Sequence, residues 1–204
     1  MVKKSTVWRT LLSTGTEANN SLKGHIILSH GFTSGPLSKG LTTGPDGTKV
    51  TTLSSVAESL GWSTHRPDFR SDDIDPYNYA LCIEPRLRRL KAAITASPSP
   101  PILMGTSIGA YVSALAASQL PVAGLFLLAL PTRIPGDNNT LAPKPVPSLL
   151  VHGYDDDICP VDDALNFARR HGMPSLLLKK NHFFENSLSI LSAHFTAFLA
   201  TVSE

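Results

Sequence analysis

The sequence predicts a three-layer α/β/α sandwich built on a mostly parallel sheet of about six core strands. Three observations lead there. Strand-length apolar runs alternate with segments whose apolar residues recur at helical spacing, the pattern of successive βαβ units. Each run is apolar at consecutive positions, as strands covered on both faces require. The chain has 204 residues, and a chain of that size can bury about 70% of its unfolded surface, enough for one core.

The elements follow in order. His25 to Leu28 reads as a buried strand that ends at Ser29-His30-Gly31. Val50 to Leu60 reads as a helix, because Leu53, Val56, Ala57 and Leu60 fall at i, i+3, i+4 and i+7 and Gly61 stops it. Ser63 to Phe69 is a second strand. Tyr77 to Ala96 is a long helix, with Leu81, Leu87, Leu90 and Ile94 on its apolar side; Pro85 should kink it or divide it in two. Pro101 to Gly105 is a third strand, followed by a helix of small residues from Ile108 to Ser118 that ends before Pro121. Val122 to Leu130 and Pro147 to His152 are the fourth and fifth strands. Val161 to Arg170 is a helix whose Asp162 and Asp163 sit in the first turn, where the helix dipole favours acids. Ser175 to Leu178 is a sixth strand, and Leu188 to Leu199 the closing helix. Residues 24–204 are thus one domain. Residues 1–23 are an extension that adds an edge strand through Val7 to Leu12 or is disordered.

Composition narrows the function classes. With 42% apolar and 17% charged residues, the chain is not disordered as a whole. A net charge of +2 without a basic block argues against nucleic acid as a partner. The cluster Arg86, Arg88, Arg89 and Lys91 reads as a solvated helix face. No apolar run reaches the roughly 18 residues of a membrane span. Arg9 interrupts the apolar stretch that a secretory signal needs. Cys82 and Cys159 are too few for a disulfide scaffold and read as reduced thiols, consistent with a cytoplasmic protein. The sequence sets no oligomeric state.

Ligands of parallel sheets bind beyond the carboxyl ends of the strands, so the residues that follow each strand matter most. After the third strand stands Gly105-Thr106-Ser107-Ile108-Gly109, a Gly-x-Ser-x-Gly between strand and helix. This spacing makes a sharp turn that lifts a nucleophilic serine above the sheet. The alternative is a tight turn whose serine only caps the helix. The Ile108 N–H, at the helix N-terminus, can donate to a developing oxyanion. A second donor is expected from the loop after the first strand, His30-Gly31-Phe32-Thr33, through the Phe32 N–H. His30 itself is read as holding that loop by hydrogen bonds. After the fifth strand, Asp155, Asp156 and Asp157 compete for the role of the acid that orients a catalytic imidazole. After the sixth comes His182, the one late histidine that directly follows a strand. Cys159 has no such elbow and reads as a structural thiol.

These motifs together resemble those of the α/β-hydrolase superfamily. They read HGF at 30–32, GTSIG at 105–109, HGYDDDICP at 152–160 and NHF at 181–183. The likeness covers roughly residues 24 to 202 and is nearest to small, cap-less bacterial serine hydrolases. It is carried most strongly by GHIILSHGFTSGP, KVTTLSSVAESLGWSTHRPDF and GTSIGAYVSALAA. The resemblance selects Asp156, four residues after His152, and so implies a triad of Ser107, Asp156 and His182. It implies hydrolysis of a carboxylic ester or thioester of a small molecule through an acyl-serine intermediate, with no cofactor and no metal. A peptidase or acyltransferase on the same triad, and a non-catalytic interaction protein on the same scaffold, are the other readings. Two departures from the family stand out. Only Pro131 to Pro147 is available where larger members insert a lid. The loop Thr33 to Gly47 is long against the usual 2 to 6 residues or so; we expect it to wall the substrate site, the other reading being a surface insertion, and we expect Thr33, Ser34 and Thr106 in contact with substrate.

Overall fold

The computed structural model describes residues 22–34, 36 and 43–203. The predicted edge strand Val7 to Leu12, and residues 35 and 37–42 of the long loop, lie outside that set. Six strands form one all-parallel sheet: β1 (His25–Ser29), β2 (Ser63–His65), β3 (Ile102–Thr106), β4 (Gly124–Leu128), β5 (Ser148–Gly153) and β6 (Ser175–Leu178). Their order across the sheet is β2-β1-β3-β4-β5-β6. The chain therefore steps outward from β1 to β2 and then crosses back to β3. That reversal opens a crevice above the carboxyl ends of β1 and β3.

Five helices cover the sheet: α1 (Thr48–Ser59), α2 (Ala80–Ala96), α3 (Ile108–Gln119), α4 (Val161–Arg170) and α5 (Leu188–Val202). The two-residue period of the strands sorts the core into two layers. Ile26, Leu28, Ile102, Met104, Phe126 and Leu128 pack with side chains of α1 and α5. Their strand neighbours Ile27, Leu103, Leu125 and Leu127 pack on the other side with α2, α3 and α4. This is the expected three-layer sandwich. Ten of the twelve residues of α3 are buried, which explains its run of alanines: only small side chains let it lie close against the sheet. Among the described residues, no helix is long and apolar enough to cross a membrane.

The structure departs from the sequence reading at the second strand and at the basic cluster, and of the two outcomes expected at Pro85 it excludes the division into two helices. The second strand ends at His65 rather than Phe69, and the chain runs on without regular structure to a 3₁₀ turn at Arg70–Asp72. The single helix α2 passes through Pro85. The proline deprives only the Leu81 carbonyl of its intrahelical partner, and Leu81 is 47% exposed, so water can replace it. Most consequentially, the basic cluster on α2 is not one solvated face. Arg86 is fully buried, and Arg89 is held on Asp72.

Candidate active site

Ser107 sits between β3 and α3 with φ 55° and ψ −125°, a conformation that L-residues seldom hold. Two glycines make that turn possible. A side chain at Gly105 would meet the Gly109 carbonyl oxygen at 2.5 Å and the Ala110 Cα at 2.6 Å. A side chain at Gly109 would collide with the Ser29 carbonyl oxygen and stand 2.6 Å from that of His30. The elbow is thus packed backbone to backbone against β1. The Ser107 N–H donates to the Leu128 carbonyl, which fixes the turn to β4.

The three residues named by the motifs meet here. Ser107 Oγ lies 2.9 Å from His182 Nε2, and His182 Nδ1 lies 2.9 Å from Asp156 Oδ2. A carboxylate can only accept, so Nδ1 carries the proton and Nε2 is left to accept from the serine hydroxyl. Asp156 is the aspartate that reaches the imidazole. Its other oxygen, Oδ1, accepts the N–H groups of Ile158 at 3.0 Å and Cys159 at 2.8 Å. Burial works to raise the Asp156 pKa, but the bond to His182 and these two amides outweigh it and hold the carboxyl below its ordinary value. Beneath the site, buried His152 donates through Nε2 to the Cys159 carbonyl at 2.8 Å, bracing the loop that carries Asp156. Burial lowers the His152 pKa, which keeps the ring neutral.

The loop after β1 is braced from α2. The Arg86 guanidinium forks onto Asp73, with Nε to Oδ1 and Nη2 to Oδ2 each at 2.7 Å. Nη1 also donates to the His30 carbonyl at 2.9 Å, and Nη2 to that of Gly31 at 3.0 Å. On the far side of Phe32, Asp73 Oδ2 accepts the Thr33 N–H at 2.8 Å and the Thr33 hydroxyl at 2.6 Å. The Ser34 hydroxyl donates to the Asp73 carbonyl. His30 completes the brace: its Nε2 accepts the Phe69 N–H at 3.0 Å, and its Nδ1 donates to the Gly31 carbonyl at 2.7 Å. Burial and the neighbouring Arg86 charge lower its pKa to about 4. One buried ion pair and one neutral histidine therefore hold residues 30, 31, 33 and 34, and the Phe32 peptide lies between them.

A cavity of about 520 Å³ opens over Ser107 and His182, with His30, Gly31, Phe32 and Ile108 in its lining. Thr106 also lines it. Thr33 and Ser34 do not, because their polar groups turn away toward Asp73. The later described end of the long loop reaches the lining through Thr43, Gly44 and Gly47, and Phe32, just before the loop begins, lines it as well. The segment between β4 and β5 has no helix and lends Pro131, Arg133, Ile134 and Pro135 to the opposite wall. It is stitched to α3 by Tyr111, whose hydroxyl donates to Asp137 at 2.5 Å, and by Ser118 Oγ, which accepts the Ala142 N–H. Asp156, Cys159 and His182 bring ligand-capable atoms within 4.8 Å of one another. Both His182 nitrogens are engaged, however, and burial pushes the Cys159 thiol up to about 12, against the thiolate a metal ion would require.

Sequence reasoning missed the Arg86–Asp73 pair. The signal was present: Arg86 lies on the apolar stripe of α2, four residues from both Cys82 and Leu90, where a solvated arginine has no place.

Comparison against protein-family models and against curated proteins gives no match. Among solved structures, the chain is 34% identical to a protein of the α/β-hydrolase superfamily from Xanthomonas campestris pv. campestris. The two align over 88% of this chain and 99% of that one, with a TM-score of 0.79. It is 26% identical to an α/β serine hydrolase homologue from Coxiella burnetii, over 88% of this chain and 86% of that one, with a TM-score of 0.63. A serine hydrolase without lid from X. campestris shares the fold at 22% identity and a TM-score of 0.69, over 89% of this chain and 83% of that one. The parallel sheet, the strained serine turn and the identity spanning nearly the whole of the first relative agree: the chain belongs to the α/β-hydrolase superfamily.

Proposed function

We propose that this protein is a lidless serine hydrolase that cleaves a carboxylic ester or thioester of a small molecule through an acyl-serine intermediate. The observation that carries this reading is the continuous hydrogen-bonded chain Ser107–His182–Asp156, anchored on a serine held at φ 55°. A serine hydroxyl attacks poorly until a base takes its proton, and His182 Nε2 stands at 2.9 Å to do so. As Ser107 Oγ bonds to the substrate carbonyl carbon, its proton passes to His182, and Asp156 stabilises the imidazolium. The carbonyl π pair becomes the oxyanion, received by the Phe32 and Ile108 N–H groups. His182 then protonates the departing alkoxide or thiolate as its bond to carbon breaks. Water, deprotonated in turn by His182, releases the acid and restores Ser107.

An esterase domain from Rhodothermus marinus and an esterase from Pyrococcus furiosus share this fold, and the ester reading draws on them by analogy of fold alone. The free, buried thiols of Cys82 and Cys159 support a reducing cytoplasm as the compartment. Ser107→Ala is the test. Turnover of short p-nitrophenyl esters should fall by several orders of magnitude, leaving only the roughly 10³-fold advantage over water that binding and oxyanion donors provide. Unchanged turnover in that variant overturns the reading.

A further inference from the structure

The cavity over Ser107 carries one cation whose position the triad does not explain. Lys49 lines the cavity from the second residue of α1. Its ammonium donates to the Phe183 carbonyl at 2.9 Å, next in sequence to His182. An ammonium has three N–H donors, and that carbonyl is neutral. Among the described residues no carboxylate lies within ion-pair distance of Lys49.

Two forces oppose a cation at this place. Burial lowers the Lys49 pKa, the mark of a charge removed from water without compensation. The N-terminus of α1 already carries partial positive charge, and its first turn contains no acid to offset it. The other charges on the lining are differently disposed. Arg133 is 85% exposed and leans on Asp163 at 3.6 Å. Glu185 is exposed. Around them the wall is largely apolar, with Phe32, Val50, Ile134, Phe183 and Leu188 among its residues.

We propose that Lys49 is a specificity-determining residue that pairs with a carboxylate on the non-reacting end of the substrate. The substrate class is then an anionic ester or thioester, with an apolar chain between its reacting carbonyl and its charge. This rests on the serine-hydrolase reading above and adds the charge of the substrate to it. An incoming carboxylate would supply the counter-ion that no described residue supplies there, beside a largely apolar wall.

The test uses fluorophosphonates, which label an activated serine with loss of fluoride and do not depend on knowing the natural leaving group. Two series of graded chain length are compared, one ending in a carboxylate and one in its methyl ester. In the wild-type protein the best carboxylate probe should label Ser107 roughly 10- to 100-fold faster than its neutral twin, the worth of a charge-assisted hydrogen bond. Added salt should narrow that gap. Lys49→Met should bring the ratio near one while leaving neutral-probe labelling within a few-fold, and Lys49→Arg should retain most of the preference. Equal labelling of the two series by the wild type overturns the proposal. So does Lys49→Met if it slows both series alike, because that is the signature of a lysine that only holds the Phe183 loop. Failure of every probe to label Ser107 is a different result, and it overturns the serine-hydrolase reading itself.

Discussion

Replacing Arg86 with methionine keeps most of the side-chain volume and removes four hydrogen bonds at once: two to Asp73 and one each to the carbonyls of His30 and Gly31. The Arg86 and Asp73 side chains are both fully shielded from solvent. The Asp73 carboxylate would keep the two donors from Thr33 but lose its counter-charge, and the His30 carbonyl would lose its side-chain donor. Breaking a buried pair by removing one partner costs about 3–5 kcal/mol, chiefly because a charge is stranded. At roughly 2–4 °C per kcal/mol for a chain of this size, Tm should fall by about 6–20 °C. Thermal and urea unfolding followed by circular dichroism measure this directly. The double variant Arg86→Met with Asp73→Leu should recover part of the loss, since it strands no charge. At a temperature where Arg86→Met is folded, kcat should fall more than KM rises, because the Gly31 carbonyl it releases belongs to the same peptide unit as the Phe32 N–H. A Tm change below about 2 °C, or a double variant no better than the single one, would show that the buried pair does not brace this loop.

Three further outcomes are expected. Asp156→Asn should lower kcat by roughly 10⁴ through the wrong imidazole tautomer, whereas Asp155→Asn and Asp157→Asn should stay within a few-fold; steady-state kinetics on one ester decide. His30 is held neutral with its pKa lowered to about 4 from 6.5, so the unfolded chain takes up a proton in that interval and the folded one does not. Stability is therefore complete above about pH 6.5 and is lost as pH falls to about 4, by roughly 3 kcal/mol in urea-unfolding free energy. His30→Gln should flatten that slope, and an unchanged slope would show that His30 is not its source. The Lys49 substitutions should change charge preference without abolishing labelling, as set out above.

The fold was legible because its determinants are local and periodic. Runs such as Ile102–Met104 and Leu125–Leu128 are apolar on both faces, and a sheet sandwiched between helices is the structure that needs this. Ser107 and His182 were legible because the chemistry follows immediately after a strand, where the sheet must deliver it. The choice of Asp156 over its neighbours was not local. It depends on two amide donors, from Ile158 and Cys159, that turn one carboxylate of three toward the imidazole. The Arg86–Asp73 brace escaped for a similar reason. The two residues are brought together by the irregular segment after β2, and the cluster's neighbours Arg88 and Lys91 disguised the one arginine that is fully buried. Thr33 and Ser34 stood at the right place in the chain to touch substrate, but Asp73 claims their donors, the Thr33 pair through its buried carboxylate and the Ser34 hydroxyl through its backbone carbonyl.

In the proposed reaction Ser107 carries the acyl group during turnover. Quenching the reaction with a slowly released p-nitrophenyl ester, then mapping peptides by mass spectrometry, tests it most directly. An acyl adduct on Ser107 should accumulate with a burst of p-nitrophenol and be absent in Ser107→Ala. Turnover with no adduct at Ser107, or with the acyl group on Cys159 instead, would contradict it.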